Sequence, residues 1–250
     1  MNKPKIKIIS LHANSGAGKD YITSCMNYLA INPKDLDISK ISKEKLEYLH
    51  NVSNSDIQTE TGIDWNRGDL MVFRFSTPLR SIVQAVAGTD FTMNDMDKQS
   101  TKLYHPKHLK HGESIRDLHL LLSDAVKNAI GMPDIFSVLL KHRVLDLVGH
   151  IISSGTYWKE FTIIILDTRY PEELKVLDDL SEELDKMECD YSINSIYITS
   201  DSINKINHSS EQNLYEQFPE KFNIVFHNDK TRTTRETLKA VKTEIVDKLK

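Results

Sequence analysis

The segment HANSGAGKD, His12 to Asp20, carries the densest chemistry in the chain. Gly16 and Gly18 stand one residue apart and Lys19 follows at once, the composition of a turn that wraps an anion. Successive backbone N–H groups of such a turn point inward, and a helix starting at its end adds positive potential. The lysine would reach the β- and γ-phosphates of a nucleotide. The chain has only 9 glycines, about half the ~7% usual in proteins, so two of them in this place weigh against accident. The full pattern G-x-x-x-x-G-K-[ST] is not met: Ala13 replaces the first glycine, and Asp20 replaces the hydroxyl residue that ligates magnesium. Alanine suffices if that position needs no positive φ. Asp20 can hold a metal ion directly or through water, although it also places negative charge beside phosphates. The plain alternative is a turn followed by an ordinary capped helix.

A second carboxylate, Asp167, closes the run TIIILDTR, with Arg169 two residues on. In phosphate-loop folds an acid at the end of a neighbouring apolar strand lies near the metal, and ligands bind outside the carboxyl ends of the strands. A strand-end salt bridge is the other reading of Asp167. Arg80 and Arg116 fall near the starts of two expected helices, where a solvated or structural arginine is the default. Phe136 and Trp158 suit a core or the stacking of a base. The uneven spacing of His105, His108 and His111 matches no zinc template and reads as a solvated loop. Cys25 falls on a buried stripe and reads as core.

The elements that must position these groups alternate between strand and helix, which implies a mostly parallel sheet. Expected strands are Ile6–Leu11, Met71–Phe75, Thr162–Leu166, Ser195–Thr199 and Phe222–Phe226. Helical spacing follows Lys19, with Ile22, Cys25, Met26 and Leu29 on one face. A helix capped by Thr77, with Pro78 in its first turn and Gly88 at its end, would bury Leu79, Ile82, Val83 and Val86. Ser114 and Asp117 open another in an approximate capping box, and Gly131 ends it. Residues 133–153, 171–187 and 234–249 complete the helices, the acidic run 172–190 being mostly a solvated face. Residues 31–70 are polar, with a short helix around 43–50, and read as an insertion. Residues 92–113 are rich in lysine and histidine.

Composition removes several classes. With 36 acidic and 32 basic residues and a net charge of −4, the chain is a poor duplex-DNA binder, and no nucleic-acid polymer is expected as a partner. Apolar segments recur throughout, against intrinsic disorder. There is no run of about 18 apolar residues, and Ile6–Leu11 is too short for a signal-peptide core, so neither membrane nor export is expected. Cys25 and Cys189 lack a partner motif, as in a reducing cytoplasm.

The order SGAGKD, FRFSTPLR, ESIRDLHLLLSD, IIILDTRYPEE, HSSE and IVFHNDK resembles the bacteriophage deoxynucleoside monophosphate kinases, over most of the chain except residues 31–70. GKD in place of GK[ST] is itself characteristic of that group. The resemblance implies one P-loop NTPase-like α/β domain over residues 1–250: a three-layer sandwich with about five mostly parallel strands and a helical lid or acceptor-binding region near 92–131. It implies that Ala13, Asn14, Ser15, Gly16, Ala17, Gly18, Lys19 and Asp20 hold the phosphates of ATP, with Mg²⁺ at Asp20 and Asp167. Asn228 and Asp229 match the turn near the ATP base. Ser76, Pro78, Arg80, Arg116, Ser123, Phe136, Asp167, Arg169 and Glu173 match the acceptor site. Lys19, Arg116, Asp167 and Arg169 are the implied catalytic set, and His208, Ser210 and Glu211 resemble a lid-side motif. Leu122 departs from the family, replacing a pocket glycine. The expected reaction moves the γ-phosphoryl group of ATP to a deoxynucleoside 5′-monophosphate in the cytoplasm, that of a host if the chain is phage-encoded. Residues 92–113 or 200–215 would close as a lid, and residues 31–70 would cover the site or form a homodimer contact. Another P-loop small-molecule kinase, or a nucleotide-binding regulatory protein weakened in catalysis, stands as the alternative. A GTP switch is disfavoured because no N-K-x-D motif is present.

Overall fold

Three consecutive isoleucines at 163–165 demand a strand covered on both faces. In the computed structural model they lie inside β3 (Glu160–Thr168), Ile163 and Ile165 entering one apolar layer and Ile164 the other. The model describes residues 3–14, 16–31, 37–51, 70–88, 99–107, 114–154, 160–168, 170–201 and 214–249. Beside β3 stand β1 (Lys5–Ala13), β2 (Leu70–Arg74), β4 (Asp190–Thr199) and β5 (Ile224–His227). Their order is β2-β3-β1-β4-β5 and every pairing is parallel. From β1 the chain reaches β3 and β2 on one side and β4 and β5 on the other, which makes the carboxyl end of β1 a topological switch point.

The helices are α1 (Lys19–Ile31), α2 (Lys43–Asn51), α3 (Thr77–Ala87), α4 (Gln99–Lys102), α5 (Ile115–Ile130), α6 (Ile135–Ser153), α7 (Pro171–Leu184), α8 (Leu214–Gln217) and α9 (Thr234–Glu244). One face of the sheet packs Ile9, Leu11, Ile164 and Ile198 against Ile22 and Cys25 of α1 and Leu238 and Val241 of α9. The other packs Ile6, Ile8, Ile163 and Ile165 against Leu140 and Val144 of α6 and Leu177 and Leu180 of α7. A third apolar cluster joins α3 to α5 through Leu79, Val83, Ile115 and Leu118, with Phe136 at its edge. This is the expected three-layer α/β sandwich. Among the described residues no helix is long and apolar enough to cross a membrane.

Several boundaries move for physical reasons. β4 starts at Asp190, before the expected Ser195, because Asp190–Ile193 pair in register with Lys5–Ile8. In α3 the N-cap is Ser76 rather than Thr77, and its hydroxyl makes no capping bond. It donates instead to Asp167. The buried residues of α3 are Leu79, Arg80, Val83 and Ala87, whereas Ile82 and Val86 are exposed. The helix is turned so that Arg80 faces inward, toward the same carboxylate. The capping box at Ser114 and Asp117 forms as expected, and Gly131 closes α5 in the left-handed conformation at φ 71°. Of residues 31–70, the part 37–51 is fastened to the α1/α9 layer: Ile38, Ile41 and Leu49 are buried there, and Arg235 donates to the carbonyls of Ser39 and Ile41.

Candidate phosphate site

The loop between β1 and α1 is shaped by its glycines. Gly16 and Gly18 both sit at φ 83°, where a side chain would be strained. At Gly18 there is a second reason, because a Cβ would lie 2.3 Å from the Asn228 side-chain nitrogen. That nitrogen donates to the Ala17 carbonyl at 2.8 Å, so Asn228 braces the loop from behind. The Ala17 N–H turns back to the Asn14 carbonyl at 3.1 Å. Among the described residues, the N–H groups of Gly16, Gly18, Lys19 and Asp20 find no backbone acceptor. They lead into the start of α1, and the N–H groups of such a loop and helix start are suited to bind phosphate oxygens. Ala13 ends β1 outside the positive-φ region, so the missing first glycine leaves the turn intact. Ser15 lies outside the described residues.

Facing this loop is a bulge in β3. Ser10 of β1 pairs with Ile165 and His12 with Thr168, so two residues of β3 lie opposite one of β1. Asp167, within that bulge, has φ 69°, the one positive value among the described non-glycine residues. Aspartate tolerates this conformation better than most residues, and a bulge re-aims a side chain that regular pleating would send elsewhere. The redirected carboxylate becomes a hub. Lys19 Nζ donates to Oδ1 at 2.7 Å. Ser76 Oγ and Arg74 Nη1 donate to Oδ2 at 3.0 and 3.3 Å. Arg80 Nη2 stands 3.8 Å away and its Nε donates to Ser76 Oγ at 3.2 Å. Asp20 approaches through Arg74, whose Nη1 lies 3.6 Å from Asp20 Oδ1. The expected residues Lys19, Asp20, Ser76, Arg80 and Asp167 therefore meet in one place.

Beneath the loop, His12 is fully buried, its Nε2 lying 2.8 Å from Ser10 Oγ and 3.0 Å from Ser195 Oγ. Burial and then the charge of Lys19 lower its pKa from 6.5 to about 3, so the imidazole is neutral in any ordinary buffer. Burial also pushes the Cys25 thiol up to about 12, as suits a core residue.

The groups assigned to nucleotide and metal fit unequally. The glycine-shaped donor array and Lys19 fit a phosphate chain. Asp20 fits a magnesium contact, because its buried Oδ1 accepts no hydrogen bond among the described residues. Asp167 does not fit as a direct ligand in this arrangement, since two cationic groups and a hydroxyl already donate to its oxygens.

The expected acceptor residues are more dispersed. Arg116 stands in the first turn of α5, half-buried, with Ser123 and Lys127 following on the same helical stripe. Phe136 packs beside Leu79 and Val83 and also lines a shallow depression with Lys127, Ser137, Tyr170 and Glu173. Lys127 Nζ lies 4.2 Å from the centre of the Tyr170 ring. Glu173 is buried and accepts from the Tyr170 N–H at 3.1 Å, a cap on α7. Asp229 accepts from the N–H and hydroxyl of Thr231, which holds its carboxyl below the usual range. Asn228 serves the loop itself. Arg169, Trp158, His108, His111, His208, Ser210 and Glu211 lie outside the described residues. Among the described residues no group of three metal-ligating side chains occurs.

Sequence reasoning passed over Arg74 and His12. The signal for Arg74 was a charged residue ending the apolar strand LMVFR, where a buried charge demands a partner. Comparison with known protein families, curated proteins and solved structures found no match to this chain.

Proposed function

We propose that the chain is an ATP-dependent kinase of deoxynucleoside monophosphates, as the order of its motifs suggests. The observation that carries this reading is the placement of Lys19: it ends a glycine-shaped loop at the switch point of the sheet and meets Asp167 across the crevice. The reaction breaks the bond from the γ-phosphorus to the bridging oxygen of ATP and forms one to a phosphate oxygen of the acceptor. No base is needed, because the acceptor phosphate is already an anion near neutral pH. The loop N–H groups and Lys19 hold the donor chain in place, and Arg80 and Arg116 supply positive charge toward the acceptor phosphate. Arg169 joins them in this reading. Magnesium, when bound with the nucleotide, neutralises β- and γ-oxygens, and Asp20 is the carboxylate suited to hold it.

The test mixes purified protein, ATP and each common deoxynucleoside monophosphate and follows diphosphate formation. Lys19→Ala should slow transfer by roughly 10²–10³-fold while the fold survives. Tight ATP binding without turnover on any monophosphate would instead place the chain among regulatory nucleotide binders.

A further inference from the structure

Arg74 is the most enclosed charge of the cluster, its side chain only 2% exposed at the end of β2. Its Nη1 lies 3.3 Å from Asp167 Oδ2 and 3.6 Å from Asp20 Oδ1, between the two carboxylates that would otherwise invite a divalent ion. Among the described residues, Lys19 and Arg80 join Arg74 around the Asp167 carboxylate. A guanidinium is always charged and offers fixed donors, so it persists here at every working pH. A fixed positive charge held against both carboxylates competes with a bare divalent cation for the same oxygens.

We propose that Arg74 is a positioning residue that takes the place of a metal ion between Asp20 and Asp167. It keeps the nucleotide-free site from binding divalent cations on its own. Asp167 then acts as the anchor that gathers Lys19, Arg74, Ser76 and Arg80, and a divalent ion enters only in company with an anionic ligand. The claim stands on the cluster alone and not on the identity of the phosphate acceptor.

The experiment titrates nucleotide-free protein with Mn²⁺ alone, read by electron paramagnetic resonance, with circular dichroism confirming the fold. Wild type is expected to show no site that Asp20→Asn removes. Arg74→Gln and Arg74→Met, which free the carboxylates, should bind Mn²⁺ about tenfold or more tightly than wild type. Arg74→Lys keeps the charge and should behave as wild type, while adding Asp20→Asn to Arg74→Gln should erase the gain. Folded Arg74→Gln protein that binds Mn²⁺ no better than wild type would overturn the proposal. If neither neutral variant folds, wild type decides: a Mn²⁺ site abolished by Asp20→Asn overturns the proposal, and its absence upholds it. Neither arm contains nucleotide, so failure of the kinase reading and failure of this one are separable.

Discussion

At the loop end of the sheet, Lys19, Arg74, Ser76 and Arg80 converge on one carboxylate, whereas along α5 to α7 the groups Lys127, Phe136, Tyr170 and Glu173 line a shallow depression. The first region is set by backbone: two glycines, a strand bulge and three strand ends leave its side chains little freedom. The second is built from side chains on and beside helices, and it encloses only about 10 Å³, room for about one water molecule. On the proposed reading, the phosphate chain is alike in every nucleotide, so a rigid cradle would serve all of them. The same reading gives the acceptor base to the helical side, where faces can be varied without disturbing the sheet.

This difference can be broken most forcefully at Asp167. Asp167→Ala leaves Lys19, Arg74 and Arg80 crowded without their anchor, and chemical denaturation should register a loss of about 3–5 kcal/mol. A loss under 1 kcal/mol would mean that the hub does not hold this end together. Gly18→Ala comes next. The alanine would be strained at φ 83° and would push on Asn228, costing roughly 2–3 kcal/mol and weakening nucleotide binding, as calorimetry can measure. Unchanged affinity would show that the loop relaxes freely.

Acidification tests the floor of the same region. His12 stays unprotonated in the native protein down to about pH 3, while an unfolded chain takes up the proton near 6.5. The unfolded state thus binds more protons in that window, and stability falls as the pH drops below 6.5. The loss attributable to His12 is about 2 kcal/mol between pH 6.5 and 5, and His12→Gln should flatten that part of the stability curve. The smallest effect belongs to the helical side: Lys127→Ala removes a cation over the half-buried Tyr170 ring and should cost under about 1 kcal/mol. On the proposed kinase reading, the same variant should change relative rates among monophosphates with the ATP KM unaltered. A changed ATP KM would join the two regions into one.

What the sequence disclosed follows the reach of each signal. The isoleucine run of β3, the capping pair Ser114 and Asp117 and the glycines of the loop act through neighbours in the chain, and all are read correctly from local pattern. Arg74 is opaque to such reading because its partner lies 93 residues further on. Ile82 and Val86 fit a buried stripe by periodicity, but Arg80 competes for the inward face and turns α3 away from it. Asp167 is recognisable as a strand-end acid, while the bulge that aims it depends on a register with β1 that no short segment encodes. Asn228 reads as part of a turn, and its place behind Gly18 emerges only when the last strand is laid in the sheet.

That placement of Asn228 has a bearing on how the protein is made. The bond from its side chain to the Ala17 carbonyl spans 211 positions. A growing polypeptide releases the glycine turn well before the strut behind it, which is synthesised 211 positions later. Until β5 has docked, the glycine turn lacks its backing, so the shape of the loop is completed late in assembly rather than seeding it.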